Sequence, residues 1–413
     1  MRQPVFEIVI IGGGIAGLAA AAGLRGPGRS ITILEQSSQH REIGAAISLQ
    51  QNASSILAKW GLSDILRRYK GSRDHGFRVY NAQGERVREI PLSRDAPDAD
   101  RVVYHRVDLL DALKEAALSP DSERPGPPAK LRLSSRTVSC DCAAGSVTLE
   151  DGTVITGDLV IAADGIHSNL RKCVTGTHTE ATPTGISAYR IVVPTETLKQ
   201  DPDITNAFDP AETWTSMVMG FDRRVIMGPC REGSLFSVVA LVPDEHMHET
   251  STAKSWTTQG SLEHLLESFD VFAPWLKSIF KSSPSLGLWQ LRDLDPLPTW
   301  TKGRVILIGD AAHAMLPTMG QGASQSIEDA EALQAFFDDV LHKPTAEEVG
   351  DRLRETFMCR YERASLIQAY SRQQAQPATT QNGKSVTLDP VQFQEYSCKY
   401  KGAREWAAQR AVC

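Results

Sequence analysis

Six apolar residues, FEIVII from Phe6 to Ile11, run directly into Gly12-x-Gly14-x-x-Gly17, and a stretch of small residues starts within the same turn. No other feature of the chain constrains its fold as tightly. An apolar run bounded by glycines reads as a buried strand, Ile15 to Arg25 as a helix apolar on every side, and Ile31 to Glu35 as a second strand. The order is βαβ, the start of a parallel sheet. Each glycine has a task in such a turn. The first permits the tight bend, the second lets backbone approach a pyrophosphate, and the third lets helix pack on strand. The helix N-terminus then offers free N–H groups to phosphate. Glu35, eighteen residues beyond Gly17, ends the second strand, where a carboxylate accepts hydrogen bonds from a ribose diol. That favours an unphosphorylated adenosine ribose, and the motif alone leaves FAD and NAD open.

Composition excludes several classes of partner. Over 413 residues, 44 basic against 50 acidic side chains leave a net charge of −6, too balanced for a nucleic-acid binder. Seven cysteines without a CxxC pair form neither a disulfide framework nor a zinc site, so no metal is expected and the thiols read as reduced, cytoplasmic ones. The apolar N-terminus lacks a basic flank and is broken by glycines, so it reads as a strand rather than a signal peptide. No other run approaches the roughly 20 apolar residues of a membrane span, and a soluble protein without membrane contact is expected.

Farther along, FRVYNAQGERV gives strands joined by polar turns, and a helix, VDLLDALKEAAL, follows Tyr104-His105-Arg106. Residues 119–130 carry four prolines and read as an exposed loop. Leu159 to Ala163 returns to a buried parallel strand. Residues 180–295 are β-rich, with one helical stretch from Ser261 to Phe280, as expected of a second sheet that covers a ligand. A long helix is expected from about Ser324 to Leu341, and the polar segment 371–395 reads as mobile. No internal repeat is present.

Two later stretches bear on the cofactor. In VIAADGIHSNLRK a buried strand ends in Asp164-Gly165, with Ser168 and Arg171 at helical spacing; a capped strand-to-helix turn explains this stretch equally well. In GRVILIGDAAHAMLPTMGQG a strand ends in Gly309-Asp310, at the carboxyl end where α/β sheets place ligands. The segment GQGAS that follows can bring backbone close to a flat ring and begin a helix whose N-terminus stabilises negative charge there.

Together and in this order, GGGIAG with its Glu, ADGIHSNLR and GRVILIGDAAHAMLPTMGQGASQSIEDA closely resemble the single-component FAD-dependent aromatic hydroxylases, the group of p-hydroxybenzoate and salicylate hydroxylases, and most of all the salicylate hydroxylase-like fungal monooxygenases. The resemblance implies an α/β fold: a Rossmann-like FAD-binding domain with a parallel sheet (1–72, 100–178 and 296–342), interleaved with a β-rich substrate-binding layer (73–99 and 179–295) and followed by a C-terminal helical segment (343–413). It further implies that Gly12, Gly14, Gly17 and Glu35 hold the ADP part of FAD. Asp164 and Gly165 would touch both flavin and NAD(P)H, Asp310 the ribityl chain, and Arg106 the ribityl-phosphate region. Backbone around Ala46 and the segment from Pro317 through Gly320, Gly322 and Ala323 would line the isoalloxazine ring.

The implied reaction is reduction of FAD by NAD(P)H, a transient cosubstrate in the absence of a second GxGxxG, then hydroxylation of a phenolic or other aromatic substrate, such as a polyketide, by O₂ through a flavin C4a-hydroperoxide. Epoxidation, N-oxygenation or halogenation of an indole or alkaloid is the alternative, and either a monomer or a homodimer is compatible. Arg190 stands among apolar residues of a strand, where an unpaired charge is costly. Related fungal enzymes bind a phenolate with an arginine in this place; a structural ion pair explains it nearly as well. Some relatives add a tyrosine where Gly228 stands here, so a two-residue phenolate clamp is not expected. His313 reads as a packing or hydrogen-bonding residue beside the flavin rather than an acid or base.

Overall fold

The computed structural model describes residues 5–38, 45–92, 100–120, 125–244, 257–375 and 390–411. Its first sheet grows from the βαβ unit. Six strands lie in the order Thr301–Lys302, Val305–Leu307, Leu159–Ala162, Phe6–Ile11, Arg29–Leu34 and Lys130–Arg132, parallel throughout except for the edge strand Thr301–Lys302. Parallel strands covered on both faces need apolar residues at every position. Leu159–Ala162 and Val305–Leu307 accordingly have no exposed surface. Helix Ile15–Leu24 packs on this sheet and against helices Arg106–Leu118 and Gly322–Phe337. Ala19, Ala20 and Ala21, all fully buried, keep that helix thin enough for close approach. The antiparallel meander Thr137–Asp141, Ser146–Leu149, Val154–Thr156 adds Val147 and Leu149 to the same core.

Register fixes where chemistry can occur. Ile11 is level with Ala162, and Ala162 with Leu307. The glycine turn, Asp164-Gly165 and Gly309-Asp310 therefore leave three adjacent strands at one edge of the sheet, the carboxyl end where open α/β sheets bind ligands.

The second sheet has eight strands in the order Thr257–Gln259, Gly287–Asp293, Thr182–Pro194, Leu235–Pro243, Arg224–Cys230, Thr215–Met219, Gly76–Asn81 and Arg86–Pro91. Strand alternation sorts its faces. Tyr189, Ile191 and Val193 enter a core shared with Leu265, Leu276 and Phe280 on two short helices. Ala188 and Arg190 face the other way, where Leu316 closes over Ala188, Leu241 and Leu291. A small three-stranded sheet, Ala46–Leu49, Val102–His105 and Ser72–Arg73, stands at the first turn of helix Arg106–Leu118.

Two helices differ from the sequence expectation. The stretch Ser261 to Phe280 is two helices, Leu262–Ser268 and Pro274–Lys281, because Pro274 sits at the first position of the second and disfavours helical backbone at the residue before it. The helix expected from Ser324 to Leu341 runs from Gly322 to Phe337. Asp338 and Asp339 follow its last turn, where the helix dipole opposes negative charge. Of the segment 371–395, residues 371–375 end the helix Ala346–Ala375 and 390–395 lie in the helix Pro390–Cys398, while 376–389 fall outside the described residues.

Candidate active site

Gly12 has φ +104°, and a Cβ there would fall 2.3 Å from the Ala163 carbonyl oxygen; a Cβ at Gly17 would fall 2.0 Å from that of Gly12. Both glycines are required by packing. Gly14 differs, since a Cβ there meets nothing within 4 Å: it faces open space at the start of a helix with no side-chain cap. The Gly13 N–H donates to Glu35 Oε2 at 2.8 Å and the Ser37 N–H to Oε1 at 2.8 Å. Each carboxylate oxygen of Glu35 keeps a lone pair for a hydroxyl donor. An open glycine, uncapped helical N–H groups and a fixed carboxylate suit a pyrophosphate followed by a ribose, so these residues fit the ADP part of FAD.

The next loop is held by an arginine whose role the sequence did not reveal. Arg171, 2% exposed, donates to the carbonyl oxygens of Ala311 at 2.9 Å, Ile166 at 3.0 Å, Thr179 at 3.1 Å and Asp310 at 3.2 Å. One guanidinium thus joins the Asp164-Gly165 loop to the Gly309-Asp310 loop. Asp164 accepts from the Leu170 N–H at 3.3 Å through Oδ2, while its buried Oδ1 has no partner among the described residues. Burial raises the Asp164 carboxyl above the usual range against the hydrogen bonds of Ser168 and Leu170. A buried oxygen without a donor beside Gly165, whose Cβ position is also open, fits contact with a bound polar group.

Gly309 turns at φ +58°, and its N–H donates to Asp329 Oδ2 at 2.9 Å. The same oxygen meets His313 Nε2 at 2.6 Å, while Arg360 Nε donates to Asp329 Oδ1 at 2.9 Å. Arg360 also pairs with Glu328, which Arg363 reaches at 2.7 Å. This buried charge network stands behind the turn and leaves Asp310 in front of it, exposed and with no hydrogen bond to its carboxylate from a described residue. Pro317–Met319 forms a 3-10 turn, Gly320 has φ +60°, and a Cβ on Gly320 would press on Ser48 Oγ at 2.8 Å. A Cβ on Gly322 meets nothing. The residues sequence reading missed, Glu328, Asp329, Arg360 and Arg363, carried one signal: an adjacent acidic pair set between Ile327 and Ala330, and two arginines three apart on a later helix.

Arg106 opens its helix, and its N–H bonds the Ala45 carbonyl at 2.8 Å. Ala46 pairs with His105, and its N–H donates to Ser237 Oγ at 3.2 Å. The strand Ala46–Leu49 is in this way tied to the second sheet. Arg190, on the same face as Ser237, lies close enough to Arg106 to feel its charge. Burial first and Arg106 second push the Arg190 guanidinium down to about 10. Among the described residues no carboxylate pairs with Arg190; it lies over the Trp289 ring, 4.8 Å from the centroid. Gly228 faces Ser237 across the strands, and a Cβ there would fall 2.9 Å from the Trp214 carbonyl oxygen, which leaves no room for a tyrosine.

Comparison with known proteins shows the family. A family profile described as an FAD binding domain matches residues 5–352. The chain is 32% identical over 376 residues to the FAD-dependent monooxygenase cfoG of Aspergillus candidus, covering 89% of this chain and 85% of that one. It is 31% identical over 378 residues to hispidin-3-hydroxylase of Neonothopanus nambi, covering 88% and 87%. Among solved structures, a salicylate hydroxylase substrate complex matches with a TM-score of 0.75 at 27% identity over 98% of this chain and 96% of that one.

Proposed function

This chain belongs to the FAD binding domain family and is an FAD-dependent monooxygenase of the aromatic-hydroxylase type; we propose that it uses NAD(P)H and O₂ to hydroxylate an aromatic substrate that carries an ionised phenolic oxygen. The observation that supports this reading is Arg190: a half-buried cation without an acidic partner among the described residues, on the sheet face that Leu316 covers. Desolvating a charge without a counter-ion is costly, and a bound anion offsets that cost.

In this reading, Gly12, Gly14 and Gly17 admit the pyrophosphate of FAD to the helix N-terminus and Glu35 holds the adenosine ribose. Asp310 accepts the ribityl hydroxyls, Arg106 balances the phosphate region, and the backbone from Ala46 and from Pro317 through Gly320, Gly322 and Ala323 borders the flat ring. Asp164 and Gly165 face flavin and nicotinamide. Bound there, FAD supplies the chemistry, accepting a hydride from NAD(P)H and delivering one oxygen atom of O₂ to the substrate. Arg190 keeps the substrate oxygen ionised, which raises electron density at the adjacent ring carbons. Ile226 and Val239, paired across the strands and in register with Arg190, give that face apolar walls that exclude water. The helix starting at Gly322 has no acidic residue in its first turn, so its N–H groups remain available to negative charge.

The test is Arg190→Met. The variant is expected to keep its FAD and lose hydroxylation of phenols in an assay of NAD(P)H oxidation coupled to product mass. Unchanged turnover would remove Arg190 from the reaction.

A further inference from the structure

Arg190 is oriented by a surface built from its neighbouring strand. Arg190 pairs directly with Gly287, and Ala188 with Trp289, so Gly287 and Trp289 share the face of Arg190. A Cβ on Gly287 would fall 2.1 Å from the Trp289 ring. The indole therefore lies down over the one residue in that strand that has no side chain, and the Arg190 guanidinium stacks above it at 4.8 Å. The layers are glycine backbone, indole, guanidinium.

A buried arginine is usually held by a carboxylate, which fixes the side chain and cancels its charge. An aromatic face fixes it too, through the ring quadrupole, without supplying a negative charge. A charged group that acts on Arg190 is another cation, Arg106, which adds to the demand for an anion. From the reading of Arg190 as the substrate-oxyanion site, we propose that Trp289, laid flat by Gly287, is a positioning residue that aims the Arg190 guanidinium at the substrate while leaving its charge unspent, so that the site selects an aromatic monoanion over its neutral counterpart. Trp289 need not touch the reacting atoms; it acts through Arg190.

The test uses FAD-loaded protein and follows perturbation of the flavin absorption band on titration with benzoate, salicylate and 4-nitrophenolate, each set against a neutral counterpart (benzamide, salicylamide, 4-nitroanisole). In the wild type the anions are expected to bind and the neutral compounds to bind at least about tenfold more weakly, the step that corresponds to 1.4 kcal/mol. Trp289→Leu should weaken anion binding about tenfold, leave the neutral compounds unchanged and keep the flavin content. Trp289→Phe, which retains a ring face, should recover most of the affinity. Gly287→Ala should reproduce the Leu phenotype with the tryptophan intact, because its methyl group displaces the ring, and it carries the test if Trp289→Leu does not fold.

The outcomes separate the two claims. If Arg190→Met loses anion binding while Trp289→Leu and Gly287→Ala bind anions as the wild type does, the positioning role is wrong and the anion site stands. If wild-type protein binds none of the anions, or binds neutral and anionic probes equally, the reading of Arg190 fails and this inference with it.

Discussion

His313 Nε2 lies 2.6 Å from Asp329 Oδ2, and each side chain is 1% exposed. The same carboxylate oxygen takes the Gly309 N–H, so the pair is a strut under the turn that presents Asp310. Asp329→Ala would leave Arg360 with one fewer counter-ion and Gly309 without its acceptor. Breaking a buried pair in this way costs about 3–5 kcal/mol. Urea unfolding should show a loss of that size together with reduced flavin content, and wild-type stability would show that the network is dispensable.

Arg171 tests the connection between the two loops. Its donors reach carbonyl oxygens on both, and hydrogen bonds from a charged group contribute about 1.5–3 kcal/mol each. Arg171→Lys keeps the charge but not the planar fork, so it should release FAD on dilution at least about tenfold more readily than wild type, as read by free flavin after ultrafiltration. Tight retention of FAD by the lysine variant would mean that the charge alone suffices.

The three glycines should separate. Gly14→Ala adds a methyl group that meets no protein atom, so thermal stability of the cofactor-free chain should change by only about 0.5 kcal/mol, while flavin binding falls. Gly17→Ala drives a methyl group into the Gly12 carbonyl oxygen, and overpacking of that kind costs about 1–3 kcal/mol, so the cofactor-free chain itself should be destabilised. Equal behaviour of the two variants in circular-dichroism melts would contradict the assignment of Gly14 to the ligand side.

Acid should weaken the protein through Glu328 and Asp329. Burial alone would raise both carboxyls, but Arg360 and Arg363 around Glu328, and His313 and Arg360 around Asp329, hold them below the ordinary range. Depressed folded-state values mean that the unfolded chain binds protons first on descending pH. Their stabilisation is then fully present above the unfolded carboxylate range near 4 and is lost as pH falls through the folded values. Denaturation midpoints measured from pH 7 down to pH 3 should fall less steeply in an Arg360→Met variant, whose carboxylates are less depressed. Parallel curves for the two proteins would refute the linkage.

How much of this the sequence showed depends on the range of the interaction. Gly12 to Glu35 was legible because turn, helix start and acceptor lie within one βαβ unit, where local conformation and spacing carry the information. The register that brings Ile11, Ala162 and Leu307 level joins strands far apart in the chain, and no local pattern names it. Pro274 is readable in the sequence as a break within the stretch Ser261 to Phe280. Arg171, Asp329 and Trp289 were out of reach, since a buried charge or a stacked ring is defined by partners that no local pattern names. Trp289 in particular owes its place to Gly287 beneath it, a relation visible in the sequence only as a glycine two residues earlier.

The proposed reaction transfers one oxygen atom of O₂ to an ionised aromatic substrate held by Arg190. The most direct measurement is turnover of the flavin-loaded protein with NAD(P)H and a panel of phenols under oxygen-18 gas, read by product mass, with Arg190→Met alongside. One labelled oxygen in the wild-type product, and NAD(P)H oxidation that yields only hydrogen peroxide in the variant, is the predicted result. Unlabelled product, or equal incorporation by the variant, would contradict it.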